Sequence, residues 1–110
     1  MKEHTAVTRL AALAHGTRLA LFRRLVQAGP SGLTPGELAA EFALPPATLS
    51  FHLKDLMRAG LLLARHEGRF IHYAPDVDAM SALLGYLTEN CCAGADCGLE
   101  QPCCNPAAAR

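Results

Sequence analysis

A mainly α-helical domain carrying one β-hairpin is what this sequence predicts, and three observations lead there. The stretch Pro45 to Gly60 has the punctuation of a helix, with two prolines at its start and a glycine behind it. Proline is tolerated in a first turn whose N–H would find no partner, and glycine is a good C-terminal stop. A shorter helical segment runs into it through the tight turn Leu44-Pro45-Pro46, and two strand-like runs follow it, joined across Glu67-Gly68-Arg69. Short helix, tight turn, longer helix is the helix-turn-helix arrangement. A hairpin directly after it is a wing, so the predicted fold class is a winged helix-turn-helix.

Taken in order, Thr5 to Ala14 places Ala6, Leu10, Leu13 and Ala14 at helical spacing, a first helix that lies over the domain rather than forming its core. His15-Gly16-Thr17 breaks it, and Thr17 is suited to cap a second, central helix running to Ala28. There Leu19, Phe22 and Val26 repeat at i, i+3, i+7, and Leu21 and Leu25 widen the buried face. Arg18, Arg23 and Arg24 read as its solvated side. After the loop Gly29-Pro30-Ser31-Gly32, Thr34-Pro35-Gly36-Glu37 reads as an N-cap, a proline at the first helical position and a capping-box glutamate. The short helix that follows reaches about Ala43, with Leu38, Phe42 and Leu44 facing inward.

Within Pro45 to Gly60, a step of 100° per residue gathers Leu49, Leu53, Leu56 and Met57 into one stripe and sends Ala47, Phe51, Lys54 and Arg58 to the other side. Phe51 is the anomaly, because a solvated face would not usually carry a large apolar ring at its centre. A surface that enters the major groove can use it: a ring against a thymine methyl, the hydroxyls of Thr48 and Ser50 for base edges, cations for phosphates. The bland alternative packs Phe51 on a neighbouring element. The residues assigned to DNA are Ala47, Thr48, Ser50, Phe51, His52 and Lys54, with Arg65 and Arg69 at the end of the wing placed to meet phosphate or the minor groove.

The wing itself consists of Leu61 to His66 and Phe70 to Ala74, with Gly68 at its tip. Asp76 and Asp78 then lead into a last helix, Ala79 to Asn90, whose Met80, Leu83, Leu84 and Leu87 form one apolar stripe. A small winged domain already has its core, so this stripe, with Leu10 and Leu13 of the first helix, is read as the surface of a homodimer.

One domain is enough for 110 residues. The net charge is zero but segregated: residues 1–72 carry nine Lys/Arg against five Asp/Glu, and residues 73–110 carry one against five. The cationic excess accompanies the DNA-reading part, as an electrostatic footprint requires. No run approaches a membrane span and the opening residues lack the apolar core of a signal peptide, which gives the expectation of a cytoplasmic protein with no membrane partner. All five cysteines fall between Cys91 and Cys104, unlike a secreted disulfide framework, so their chemistry is read as that of thiols. The chain thus divides into a DNA-binding and dimerisation domain at 1–90 and a flexible cysteine-rich metal(loid)-binding tail at 91–110, without helical periodicity and in need of a ligand to order it.

The order of elements from Thr5 to Asn90, and the wording of Ala47 to Leu61, resemble the ArsR/SmtB family of metal-responsive winged-helix repressors. The run Thr48-Leu49-Ser50-Phe51-His52-Leu53, continued by Leu56 and Ala59-Gly60-Leu61, is similar to that family's Thr-x-Ser-x-His-Leu-x-x-Leu-x-x-Ala-Gly-Leu signature, and Leu13 to Leu19 to its Leu-x-x-x-x-Arg-Leu opening. The resemblance implies a homodimeric repressor that binds an inverted repeat in double-stranded operator DNA and leaves it when a metal or metalloid binds. The family's third-helix arsenic site is absent, because Glu37-Leu38-Ala39-Ala40-Glu41-Phe42 stands where its cysteines would be. Its last-helix zinc site would need histidines, and none occurs after His72. Some arsenic-responsive members carry a cysteine pair and a third cysteine just after the last helix, and Cys91, Cys92 and Cys97 look like that arrangement, with Cys103 and Cys104 as substitutes.

Thiolates select soft ions, and trivalent arsenic or antimony takes three of them in a pyramid. The expected inducer is therefore As(III) or Sb(III), with no organic cofactor. A zinc site from four of the cysteines, which lack the usual Cys-x-x-Cys pairs, sensing of cadmium, and a thiol redox switch stay open. A thiol-dependent reductase is remote, because the chain has no phosphate-cradling glycine loop, no Cys-x-x-Cys and no cysteine at a helix start after a strand. The chain reads as a regulator rather than an enzyme.

Overall fold

The structure, a computed structural model, describes residues 1–90. The expected cysteine segment at 91–110 lies outside the described residues. Seven elements follow one another: α1 (Glu3–Leu13), α2 (Gly16–Ala28), α3 (Pro35–Phe42), α4 (Pro46–Arg58), β1 (Leu62–Glu67), β2 (Phe70–Pro75) and α5 (Val77–Leu87). This is the expected winged helix-turn-helix order.

The cap of α2 differs from the expectation. His15, not Thr17, is the N-cap: its backbone is extended and its imidazole Nδ1 accepts the Thr17 N–H at 3.2 Å. The buried face of α2 is Leu21, Phe22 and Leu25, while Leu19 and Val26 are exposed. The helix packs against α1, α4 and β2, and that surround centres its inward arc on Leu21 and Leu25 rather than on the Leu19–Val26 line. Helix α3 starts with the predicted capping box. Thr34 Oγ1 accepts the Glu37 N–H at 3.2 Å, and the Thr34 N–H donates to the Glu37 carboxylate at 2.9 Å. That backbone donor, helped by the Thr34 hydroxyl, holds the Glu37 carboxyl below its ordinary range. Ala43 ends α3 in the left-handed region at φ 53°, and the chain turns through Leu44 and Pro45 into α4.

The far end of α4 shows why a glycine follows it. Gly60 takes φ +79°, its N–H donates to the Met57 carbonyl at 2.9 Å, and the Leu61 N–H reaches back to the Leu56 carbonyl at 3.1 Å. This is the Schellman pattern, and its apolar clasp joins Leu56 to Leu61, both fully buried. They belong to one core with Leu21, Leu25, Leu38, Leu49 and Leu53. Burying each such leucine contributes about 1.5–3 kcal/mol.

The hairpin pairs Leu62 with Pro75 through Glu67 with Phe70, leaving a two-residue tip at Gly68-Arg69. Gly68 supplies the positive φ (60°) that such a turn needs. A third strand segment escaped the sequence reading. Leu33 and Tyr73 form an isolated antiparallel bridge, N–H to carbonyl in both directions at 3.0 and 2.8 Å. Gly32 precedes it at φ +75°, and a Cβ there would stand 2.5 Å from the Tyr73 carbonyl oxygen.

Asp76 caps α5 by accepting the Ala79 N–H at 3.0 Å, so the helix begins at Val77 rather than Ala79 and ends at Leu87. Its apolar residues divide. Leu83 is buried within the protomer (4% exposed), and Met80 and Leu13 pack on the core, whereas Leu84 and Leu87 are 37% and 51% exposed, as are Val7 and Leu10 of α1 in comparable measure. The single stripe predicted as dimer surface is corrected accordingly: α5 packs against α1 of its own protomer, which takes Leu83 inward. Arg9 ties this layer to α4, with Nε donating to the Ala59 carbonyl at 3.1 Å and Nη1 to the Ala79 carbonyl at 3.3 Å.

Candidate nucleic-acid interface

Helix α4 presents the outward face that its sequence predicts. Leu49, Leu53 and Leu56 are buried, and Ala47, Thr48, Ser50, Phe51, Lys54 and Arg58 are exposed. Met57, placed by periodicity in the buried stripe, lies at its margin and is exposed. Phe51 is 59% exposed; among the described residues no neighbouring element covers it, against the bland alternative. The N-terminus of α4 has no side-chain cap, which leaves the N–H groups of Ala47 and Thr48 free of an intrahelical partner. Ala47, whose side chain offers only a methyl, brings a backbone donor to this face.

His52 is corrected. It is 8% exposed and faces inward, with its ring centroid 4.8 Å from that of His15, the N-cap of α2. Its Nδ1 is buried without a hydrogen-bond partner among the described residues. Burial, with His15 and Arg18 nearby, pushes its pKa below the ordinary 6.5 against a smaller opposing effect of Asp55. The expected base contact of His52 is thus at odds with the burial of its ring against His15. Its ring also lies 5.9 Å from Phe51, edge-on.

The wing's two arginines part company as well. Arg69 is at the tip, exposed, and in no ion pair among the described residues. Arg65 stands three residues before Gly68, and its guanidinium is occupied: it donates to the carbonyls of Pro30 at 3.3 Å and Ser31 at 2.9 Å and to Glu67 at 3.3 Å. Arg65 braces the wing against the loop between α2 and α3. Lys54, like Arg69, enters no ion pair among the described residues.

Arg18, read as solvated, is instead structural. Its Nη1 donates to Asp55 of α4 at 3.1 Å and its Nε to the Ala12 carbonyl at 2.7 Å. The predicted ligands Cys91, Cys92 and Cys97, and the alternates Cys103 and Cys104, lie outside the described residues. Among the described residues no group of three or more His, Cys, Asp or Glu side chains could hold a metal ion, and no helix is long and apolar enough to cross a membrane.

A helix-turn-helix domain family matches residues 13–64, the stretch from the end of α1 into β1. The chain is 36% identical over 69 residues to the HTH-type transcriptional regulator CmtR of Mycobacterium tuberculosis, a match that covers 63% of this chain and 56% of CmtR; it spans little more than half the length of that curated relative. Among solved structures it is similar to a "possible transcriptional regulator for arsenical resistance", at 38% identity over 72% of this chain and 79% of the other, with a TM-score of 0.58. It is similar also to a homodimeric winged helix-turn-helix DNA-binding domain from Mycobacterium bovis, described as a possible ArsR-family transcriptional regulator, at 25% identity over 76% of each chain with a TM-score of 0.65.

Proposed function

Because this chain belongs to the ArsR family of winged helix-turn-helix transcriptional regulators, we propose that it is a homodimeric repressor that binds an inverted repeat in operator DNA and is released by trivalent arsenic or antimony. The observation that carries the DNA part is the outward face of α4, where an exposed Phe51 stands among Thr48, Ser50 and Lys54. Phe51 and the hydroxyls serve base edges, while Lys54 and Arg69 serve phosphates. Val7, Leu10, Leu84 and Leu87, exposed apolar residues on the packed pair α1 and α5, supply the dimer surface.

Cys91, Cys92 and Cys97 are the proposed ligands of the inducer, with Cys103 and Cys104 as alternates for the third position. Support comes from the donor set. Thiolates suit soft ions and five are available directly after α5. The relation to a possible regulator for arsenical resistance points the same way. Binding there would act on α5, whose first turn shares the Arg9 side chain with the C-terminal end of α4. A coupling of about 1–3 kcal/mol through that path would weaken operator binding roughly 5 to 150-fold.

The test is a mobility shift on the protein's own promoter, titrated with arsenite, antimonite, cadmium, zinc and peroxide. Arsenite or antimonite should release the DNA, and Cys91→Ser, Cys92→Ser and Cys97→Ser should each abolish the response. Response retained in Cys97→Ser but lost in a Cys103→Ser/Cys104→Ser pair moves the third ligand to the distal cysteines. Release by cadmium, zinc or peroxide alone makes the protein a sensor of another metal or of thiol oxidation, and full arsenite response after truncation at Asn90 removes the cysteine segment from the account.

A further inference from the structure

We infer that His15 is an additional DNA contact, a neutral hydrogen-bond donor to a backbone phosphate at the flank of α4; the inference rests on the DNA-binding reading above. His15 caps α2, outside the helix-turn-helix and the wing, yet the fold brings its ring against His52 of α4. From the exposed ring of Phe51, one step of 5.9 Å leads to the ring of His52 and a second of 4.8 Å to the ring of His15. The major groove of B-form DNA is about 12 Å wide. A residue within those two steps of a side chain seated in the groove is close enough to reach the sugar-phosphate backbone beside it. His15 is itself exposed, so its ring is open to a ligand from solvent.

The hydrogen bonding of His15 decides what it offers. Nδ1 accepts the Thr17 N–H at 3.2 Å and so caps α2. An acceptor nitrogen carries no hydrogen, so the proton of the neutral ring is on Nε2. Nε2 has no partner in any hydrogen bond among the described residues. The cap thus fixes the tautomer, and the buried His52 ring, tilted 48° to it at 4.8 Å, limits the swing of His15, leaving one oriented N–H donor. A phosphate oxygen accepts from such a donor without any change of charge on the protein. Backbone contacts of this kind set register on the duplex and carry no sequence information.

Two consequences separate this contact from the arginine at the wing tip. It should strengthen binding to every sequence alike, and, being uncharged, it should leave the salt slope as it is, because only neutralising a phosphate releases a counterion. The test uses His15→Asn in the full-length protein, since asparagine is a strong N-cap and preserves α2 but is too short to reach the same point. Operator and non-operator DNA should both bind about tenfold more weakly, the scale of one hydrogen bond to a charged group, with an unchanged slope of log K against log salt and an unchanged melting temperature. Wild-type affinity in His15→Asn overturns the inference and leaves the DNA-binding reading standing. A wild-type protein that binds no operator overturns both. A fall in salt slope by one unit in His15→Asn would also overturn it, because the contact would then be ionic.

Discussion

Arg18 on α2 donates to the carboxylate of Asp55 on α4 at 3.1 Å, and the same guanidinium donates to the last carbonyls of α1 at Ala12. One side chain therefore joins three helices behind the recognition surface. The two partners are only 16% and 26% exposed, which sets this pair apart from the exposed Arg24–Glu41 and Arg65–Glu67 contacts, whose worth is small. Removing Arg18 strands Asp55 with the exposed Arg58 at 3.6 Å and leaves the Ala12 carbonyl without its donor. Arg18→Ala should lower the unfolding free energy by about 1–3 kcal/mol, read as a fall in urea midpoint at constant slope. Arg18→Lys should recover only part, since a point charge cannot serve the carboxylate and the carbonyl as the planar fork does. An unmoved midpoint in Arg18→Ala would reduce the pair to a surface contact.

On DNA, the two kinds of contact should separate in binding assays. A Ser50→Ala/Phe51→Ala variant should lose base preference at one position of each half-site, with a cost of about 1–3 kcal/mol. Arg69→Ala should weaken all sequences equally and lower the salt slope by about one unit. Arg65→Ala should leave the slope alone, because that cation is already paired with Glu67 and held away from the duplex by the carbonyls of Pro30 and Ser31. Unchanged operator binding in the Ser50/Phe51 variant would sink the assignment of this face.

The split of α5 predicts two different phenotypes from neighbouring leucines. Leu84→Glu/Leu87→Glu changes exposed positions and should sediment as a folded monomer that has lost tight operator binding. Leu83→Ala empties a buried site and should instead destabilise the protomer by about 2–5 kcal/mol. If the Leu84/Leu87 variant stays dimeric, the interface lies elsewhere.

Acid should destabilise the domain through His52. The unfolded chain takes up a proton near pH 6.5 that the folded chain refuses until a lower pH, because the imidazole is buried and its Nδ1 has no partner among the described residues. The contribution to stability is thus fully present above that value and is lost as pH falls through the depressed folded pKa. Thermal melts of wild type should show the decline below pH 6.5, and His52→Leu should flatten it. An identical decline in the variant would assign the effect to other groups.

How much of this was legible in the sequence depended on the distance over which each feature is decided. The bounds of α4, its buried Leu49, Leu53 and Leu56, and the Thr34–Glu37 box are encoded within four residues and could be read directly. His52 sits at the edge of the stripe, where a rotation of one residue decides between core and surface, and periodicity has no such resolution. Arg18 and Asp55 are separated by 37 residues, and nothing local distinguishes a solvated arginine from one that a distant carboxylate claims. Leu83 is misplaced for a related reason: it is buried within the protomer, where α5 packs against α1, and an apolar stripe does not say which partner covers it.

Gly32 gives the wing its gauge. A side chain there would meet the Tyr73 carbonyl oxygen, so the loop before α3 and the strand β2 are spaced by a single hydrogen atom, and the wing can shift outward but not settle closer. In the proposed DNA complex such a spacer would work as a caliper, setting how far from α4 Arg69 comes down on a duplex whose grooves repeat at a fixed interval. Opening the caliper would leave both tips chemically intact yet misaligned with the helical repeat, a defect of measurement rather than of affinity at either tip.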